Sequence, residues 1–216
     1  WLDPVSFATQ VDVVLEKLIS TFPNGTSNFT ENANSYKAQL QTLDNDFVAA
    51  FGDSGTCSVG GHDKTIVANH NAYSYMSERY DIEIVTVHGL DPEGEPSAQD
   101  IVNVINHIKE NEITVLFVEE YTNENAVNSI VEDTGVSIEK LYTMEMAPID
   151  TNDNYLSLMN KNLNNLVNGI GCWIRKINQN VEKGGMLRYA YGRYSPNYLS
   201  RECFLNYGRL FDLWSN

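Results

Sequence analysis

Residues 65–87 leave little choice of fold. Thr65-Ile66-Val67-Ala68 is a short apolar run that predicts a buried strand, and Ala72, Tyr73, Met76 and Tyr80 then recur at helical spacing. A second β-branched run, residues 82–87, follows and gives way to His88-Gly89 and a proline-punctuated loop reaching Pro96. Strand, helix and strand at this spacing make a parallel βαβ unit, which closes right-handed. His70 falls where the first strand hands over to the helix, on the edge where open parallel sheets place their ligands. The positive end of a helix disfavours an imidazolium, so His70 is expected to stay neutral and offer a nitrogen lone pair. Capping the helix is the other role open to it.

The alternation continues downstream. Ser97 with Asp100 resembles a capping box, and Ile101, Val104, Ile105 and Ile108 then form one helix face, with His107 off that face as a surface residue. Residues 113–118 are a continuous apolar run, as in a parallel strand covered on both sides, and Glu119 and Glu120 end it. Ala126, Val127, Ile130 and Val131 give the next helical stripe, closed by Gly135. Residues 136–142 read as a fourth strand, and Asp150 or Thr151 is expected to cap a last helix with the stripe Tyr155, Leu158, Met159, Leu163, Leu166 and Val167. The expected fold class is α/β: a four-stranded parallel sheet with flanking helices. Parallel strands deliver their carboxyl ends to one edge, so His70, His88, Glu119, Glu120 and Glu145 share a rim. Imidazole nitrogen and carboxylate oxygen are suitable zinc ligands, although enzymes also gather such groups on a sheet edge.

Ahead of this region, Asp3 and Pro4 form a helix start, an N-cap followed by proline at the first helical position. Val11, Val14, Leu15 and Leu18 carry that helix to about Phe22-Pro23. Residues 24–30 read as a polar loop holding two glycosylation triplets, Asn24-Gly25-Thr26 and Asn28-Phe29-Thr30. Residues 32–51 predict a second helix striped by Tyr36, Leu40, Leu43, Phe47 and Ala50. Residues 52–61 hold four glycines and form a loop that ends at an exposed His62.

Charge excludes one class of partner. The net charge is −15, and phosphate contacts need a basic surface, so nucleic acid is not expected as a ligand. An acidic surface is compatible with attracting cations and also simply keeps a protein in solution. Residues 169–216 break from this pattern. They carry 7 of the 14 basic residues but 3 of the 29 acidic ones, with aromatic Trp173, Tyr189, Tyr191, Tyr194, Tyr198 and Trp214. That tail reads as an appended segment on the acidic body or as a sequence junction. The three cysteines, Cys57, Cys172 and Cys203, lack zinc-knuckle or redox spacing and allow one disulfide at most.

Three ordered motifs carry a family resemblance. His70-Asn71-Ala72-Tyr73-Ser74-Tyr75 resembles a His-x-Ala-Phe-x-Tyr element, and residues 89–97, Gly-Leu-Asp-Pro-Glu-Gly-Glu-Pro-Ser, resemble a Gly-Leu-x-Pro-Glu-x-Glu-Pro-Ser signature. Trp1-Leu2-Asp3-Pro4 matches His-x-Trp-Leu-Asp-Pro entered two residues late. Together they resemble zinc- and manganese-binding proteins of ABC transporters, the ZnuA/TroA-like, cluster A-I metal-binding lipoprotein type, over about residues 1–168. The resemblance implies the C-terminal lobe of a two-lobed protein lacking most of its N-terminal lobe. Residues 1–28 would be a remnant of that lobe, 29–52 an interlobe linker helix, 62–168 the metal-binding lobe, and 169–216 a tail outside the resemblance.

The resemblance also implies a site. His70 corresponds to a ligand position, and histidine there leans toward zinc over manganese. Glu145 corresponds to the last ligand position, where aspartate is more usual. Glu119 matches a carboxylate that is not normally a ligand and would support one from outside, and His88 is a rim residue. The implied function is extracytoplasmic capture of a divalent transition metal, periplasmic or at the cell surface, for delivery to an ABC permease with its ATPase. Membrane association would come only from an anchor upstream. No catalysis is implied. A zinc-dependent hydrolase, with Glu119 or Glu120 as base, is the competing class, and an incomplete product without function is the third; no His-Glu-x-x-His or Ser/His/Asp pattern favours the hydrolase.

Overall fold

The computed structural model describes residues 1–69, 71–87, 97–122 and 127–172. Residues 89–96 of the 89–97 signature and nearly all of the aromatic, basic tail, including Cys203, lie outside the described residues.

Helix α1 (Pro4–Thr21) starts as the sequence predicts, with Asp3 accepting from the Val5 and Ser6 amides. The expected loop at residues 24–30 is instead a 3₁₀ turn (Pro23–Gly25) running into α2 (Thr26–Phe51). The Phe29 ring closes over Gly25, where a Cβ would stand 2.5 Å from ring carbons. This contact and packing against α1 outweigh the weak helix propensity of the Asn, Ser and Thr residues there. The two helices form a hairpin joined by Lys37 and Asp12 at 2.6 Å and by Phe7 against the edge of Tyr36. The glycine-rich stretch after α2 contains a single helical turn, α3 (Thr56–Val59), which buries Cys57.

Four parallel strands follow, β1 (Thr65–Ala68), β2 (Glu83–Thr86), β3 (Val115–Glu119) and β4 (Ser137–Leu141), in the spatial order β2-β1-β3-β4. Helix α4 (Ser74–Tyr80) links β1 to β2, α5 (Ala98–Glu110) links β2 to β3, α6 (Asn128–Thr134) links β3 to β4, and α7 (Tyr155–Ile170) closes the fold. The fold class is therefore the expected one. Ser97 and Asp100 form the predicted capping box, and Gly135 closes α6 in the left-handed conformation. The cap of α7 differs from expectation. Asn154, not Asp150 or Thr151, accepts from the Ser157 amide while Ser157 answers with its own side chain. Asp150 spends its carboxylate on the Asn152 amide in a turn ahead of the helix.

Successive residues of each strand face opposite layers, so the continuous apolar runs supply two cores. Ile66 and Ala68 of β1, Phe117 of β3 and Leu141 of β4 pack with Phe47 and Phe51 of α2, Met76 and Tyr80 of α4, and Met159 and Leu163 of α7. Val67, Leu116 and Val118 pack with Val104, Ile105 and Ile108 of α5 and Ile130 of α6. Each buried Val, Leu, Ile, Phe or Met among them contributes about 1.5–3 kcal/mol. Gly169 lets α7 lie close on the sheet, because a Cβ there would meet the Phe117 ring at 2.5 Å.

Two polar devices lock the layers. Asp44 of α2 is 4% exposed and accepts from Arg79 Nε at 2.7 Å, Arg79 Nη2 at 2.9 Å and Tyr80 Oη at 2.9 Å. Burial alone would raise the Asp44 pKa, but the hydrogen bonds from Arg79 and Tyr80 outweigh it and hold the carboxyl below its usual range. Beyond the expected last helix stripe, Cys172 forms a disulfide with Cys57 across 115 residues of sequence.

Two outcomes follow from these locks. Arg79→Ala leaves a carboxylate uncompensated in the core and should cost about 3 kcal/mol at neutral pH in urea unfolding. A group with a depressed folded pKa stabilises above its unfolded pKa and loses that contribution as pH falls through the folded value. The gap between wild type and variant should therefore shrink in acid, and a pH-independent gap would show that the Asp44 charge is not responsible. Replacing Cys57 and Cys172 together by serine, or reducing the bond, should cost about 2–5 kcal/mol. An unchanged melting temperature under reductant would count against the bond as a stabilising element.

Candidate metal-binding rim

From β1 the chain moves outward to β2, whereas from β3 it moves the opposite way to β4, so β1 and β3 flank the point where the winding reverses. Open α/β sheets bind ligands in the crevice at such a point. Asn69, the residue after β1, is 3% exposed and ties the two strand ends together. Its amide donates to the Phe117 carbonyl at 2.9 Å, its side-chain oxygen accepts from the Glu119 amide at 3.1 Å, and its Nδ2 donates to Thr122 Oγ1 at 3.1 Å. Sequence reasoning missed Asn69. Its signal was a polar residue closing an apolar strand. His70, the next residue and first expected ligand, lies outside the described residues, as does His88.

Glu119 and Glu120 are both half-buried. Glu120 Oε1 accepts from the Ile149 amide at 3.1 Å, and the Tyr121 hydroxyl donates to the Ala147 carbonyl. The loop after β3 is thereby fastened to the loop after β4, and Glu120 is engaged in holding backbone. His107 is half-buried rather than at the surface as expected, with its Nδ1 3.3 Å from Asn111 Nδ2.

The loop after β4 carries Glu145. Its base is fixed by Asn162 of α7, fully buried, which accepts from the Tyr142 amide at 2.7 Å and donates to the Tyr142 carbonyl at 2.9 Å. The Trp1 indole N–H donates to the Thr143 carbonyl, and the Tyr155 hydroxyl donates to the Trp1 carbonyl at 2.7 Å. Phe7 stacks on Tyr155 with centroids 4.0 Å apart. Met144 then adopts φ +57°, a left-handed conformation unusual for methionine. Such backbone persists only where surrounding contacts over-determine it, and it concentrates at functional sites. The result is an exposed Glu145 carboxylate at an open cavity of about 500 Å³ lined by Trp1, Phe7, Met144, Tyr155 and Leu158.

Tyr73 caps the start of α4 and lies in the core. Its side chain is 1% exposed, and its hydroxyl has no hydrogen-bond partner among the described residues. Burial pushes its pKa well up, and the Glu145 charge adds to the shift. A buried hydroxyl left unpaired costs about 1–3 kcal/mol. Among the described residues no three His, Cys, Asp or Glu side chains gather into a metal-holding group. The exposed Glu145 carboxylate is an oxygen donor of the kind that divalent cations take.

A parallel α/β lobe with its winding reversal beside a carboxylate-bearing rim has the architecture of α/β domains that bind ligands at the carboxyl ends of their strands. Its fold superposes with a TM-score of 0.70 on the laminin-binding protein Lbp of Streptococcus pyogenes, at 26% identity over 79% of this chain and 64% of that one. It superposes at 0.64 on the Zn(II)-bound ZnuA-like domain of Streptococcus pneumoniae AdcA, at 28% identity over 79% of this chain and 62% of that one. The chain belongs to the ZnuA family, described as zinc-uptake complex component A, periplasmic, which matches residues 1–169. The zinc-binding lipoprotein AdcA of Streptococcus pneumoniae is 29% identical over 166 residues, 76% of this chain and 32% of that protein. The chain thus spans about a third of the length of the AdcA relatives it matches.

The Asn69 clamp can be tested directly. Asn69→Ala should cost about 1–3 kcal/mol and speed hydrogen exchange at the Glu119 amide, which loses its acceptor. Unaltered protection of that amide would show that the clamp does not hold the strand ends.

Proposed function

We propose that this chain is the metal-capturing lobe of an extracytoplasmic zinc-binding protein that hands its ion to an ABC permease driven by an ATPase. The observation that carries this reading is the Glu145 loop, held in a strained conformation at an open cavity on the sheet's ligand edge, in a chain of the zinc-uptake family. Glu145 and His70 are the ligands from this lobe, with zinc favoured over manganese because the position is histidine. Glu119 supports the rim from outside the ligand set, and His88 is a rim residue. Helix α2 serves as the connector toward a second lobe, which completes the coordination shell. The protein acts by binding and release. Glu120, the alternative base of a hydrolase, is engaged with the Ile149 amide, and the names of the relatives describe metal-binding proteins. Periplasmic or cell-surface placement accords with the family description and with the Cys57–Cys172 disulfide.

Calorimetric titration with zinc chloride tests the assignment. His70→Ala and Glu145→Ala should each weaken binding by about tenfold or more, whereas His62→Ala and His107→Ala should leave it unchanged. Metal and protons compete for these donors, so wild-type affinity should fall in acid. Equal losses at all four positions would mean nonspecific binding and sink the ligand set.

A further inference from the structure

Glu145 stands in the middle of a short span that is held from outside at both ends. Two residues before it, the Thr143 carbonyl accepts from the Trp1 indole N–H, and two residues after it, the Ala147 carbonyl accepts from the Tyr121 hydroxyl. Trp1 is held in turn. Its own carbonyl accepts from the Tyr155 hydroxyl of α7 at 2.7 Å, and the Phe7 ring of α1 stacks on that same tyrosine with centroids 4.0 Å apart. Trp1, Tyr155 and Glu145 all line the one open cavity at the rim. Between Thr143 and Glu145 lies Met144, at φ +57°. The Thr143 carbonyl and the Met144 nitrogen share a rigid peptide plane. The indole that holds this oxygen therefore holds the plane from which the Met144 φ departs, and a left-handed methionine persists only where such contacts over-determine it.

We propose that Trp1 is a positioning residue for the captured ion: through the Thr143 peptide plane it presets Glu145, and through Tyr155 it makes that setting depend on how the α1–α2 hairpin seats on α7. This inference rests on the reading of Glu145 as a ligand. A ligand whose backbone is already ordered binds without the entropy loss of ordering it. Trp1 touches no ion in this scheme. With its bond removed, Met144 is free to leave the left-handed region and Glu145 sweeps a wider range. The ordering cost then falls on the binding step, at about tenfold in affinity for one residue's backbone. Trp1 stands directly ahead of α1, which is joined to α2 by Lys37 and Asp12, so it moves with the hairpin. A displacement that lifts the hairpin off α7 unseats the indole and loosens the carboxylate, which favours release of the ion.

The test is a set of double-mutant cycles in the 216-residue chain, titrated with zinc chloride by calorimetry well below the melting temperature of each variant. Trp1→Phe removes the indole donor, and Tyr155→Phe removes the hydroxyl that holds Trp1 while keeping a ring to stack on Phe7. Each should weaken zinc binding by about tenfold. Because both act through one chain of bonds, the two together should lose no more than the larger single loss, and neither should change affinity further in a Glu145→Ala background. A spectroscopic reading separates positioning from mere stability. The Trp1 indole N–H resonance, identified by its absence in Trp1→Phe, should shift when zinc is added to the wild-type chain and stay in place in Glu145→Ala. Unchanged affinity in Trp1→Phe or Tyr155→Phe, where Glu145→Ala still impairs binding, overturns the positioning role and leaves the ligand assignment standing. Losses that add to that of Glu145→Ala, or an indole resonance indifferent to zinc, overturn it equally. Undiminished binding in Glu145→Ala, or failure of the wild-type chain to bind zinc, removes both readings.

Discussion

The pairing of Asp44 with Arg79 is the interaction on which the rest of the structure turns. A carboxylate taken out of water costs several kcal/mol unless its lone pairs are met. Here a bidentate guanidinium, the Tyr80 hydroxyl and the Gln41 amide all meet them. The pair spans α2 and α4, so it fixes the helix that begins just after His70. Asp3 joins from a third element, 3.4 Å from Arg79 Nε, while also capping α1. One basic residue thereby registers the start of α1 and the last turn of α4 against the C-terminal half of α2. The Tyr80 ring, stacked on Phe47 with centroids 4.8 Å apart, carries that polar knot straight into the apolar core.

From this anchor the rim is assembled by hydrogen bonds to backbone rather than by contacts among ligands. Asn69 joins the ends of β1 and β3, Glu120 and Tyr121 join the loop after β3 to the loop after β4, and Asn162 joins that loop to α7. Each device satisfies amide or carbonyl groups that strand ends and loops otherwise leave open. A rim built this way keeps its shape while its outward carboxylate stays available.

Periodicity made the sheet legible. Residues 65–68 and 115–119 alternate between two cores, and that is why both read as continuous apolar runs. The Ser97–Asp100 box and the Asp3-Pro4 start were legible because capping is local chemistry. What escaped depends on distance in the chain. Asp44 and Arg79 lie 35 residues apart, and neither departs from an ordinary polar helix position in sequence. Cys57 and Cys172 could be counted but not paired, since three cysteines permit three pairings. The helical backbone at residues 26–30 was hidden because its composition is that of a turn and its support is the neighbouring helix. Motif resemblance located Glu145, but the distortion at Met144 that presents it comes from tertiary contacts with Trp1 and α7. The Trp1-Leu2-Asp3-Pro4 element shows how densely such a motif is used: Trp1 braces the rim, Leu2 enters the core, Asp3 caps and pairs, and Pro4 begins the helix.

Trp1 also gives the molecule an optical property. Its indole is 42% exposed, lines the cavity beside Glu145, and is tied through its N–H to the carbonyl two residues before that carboxylate. An indole so placed emits at a wavelength set by the polarity of the cavity and by the charge at its mouth. Of the chain's three tryptophans, the other two, Trp173 and Trp214, lie in the segment beyond α7. The rim therefore carries a built-in fluorophore, separated in sequence by more than the whole sheet from the other two.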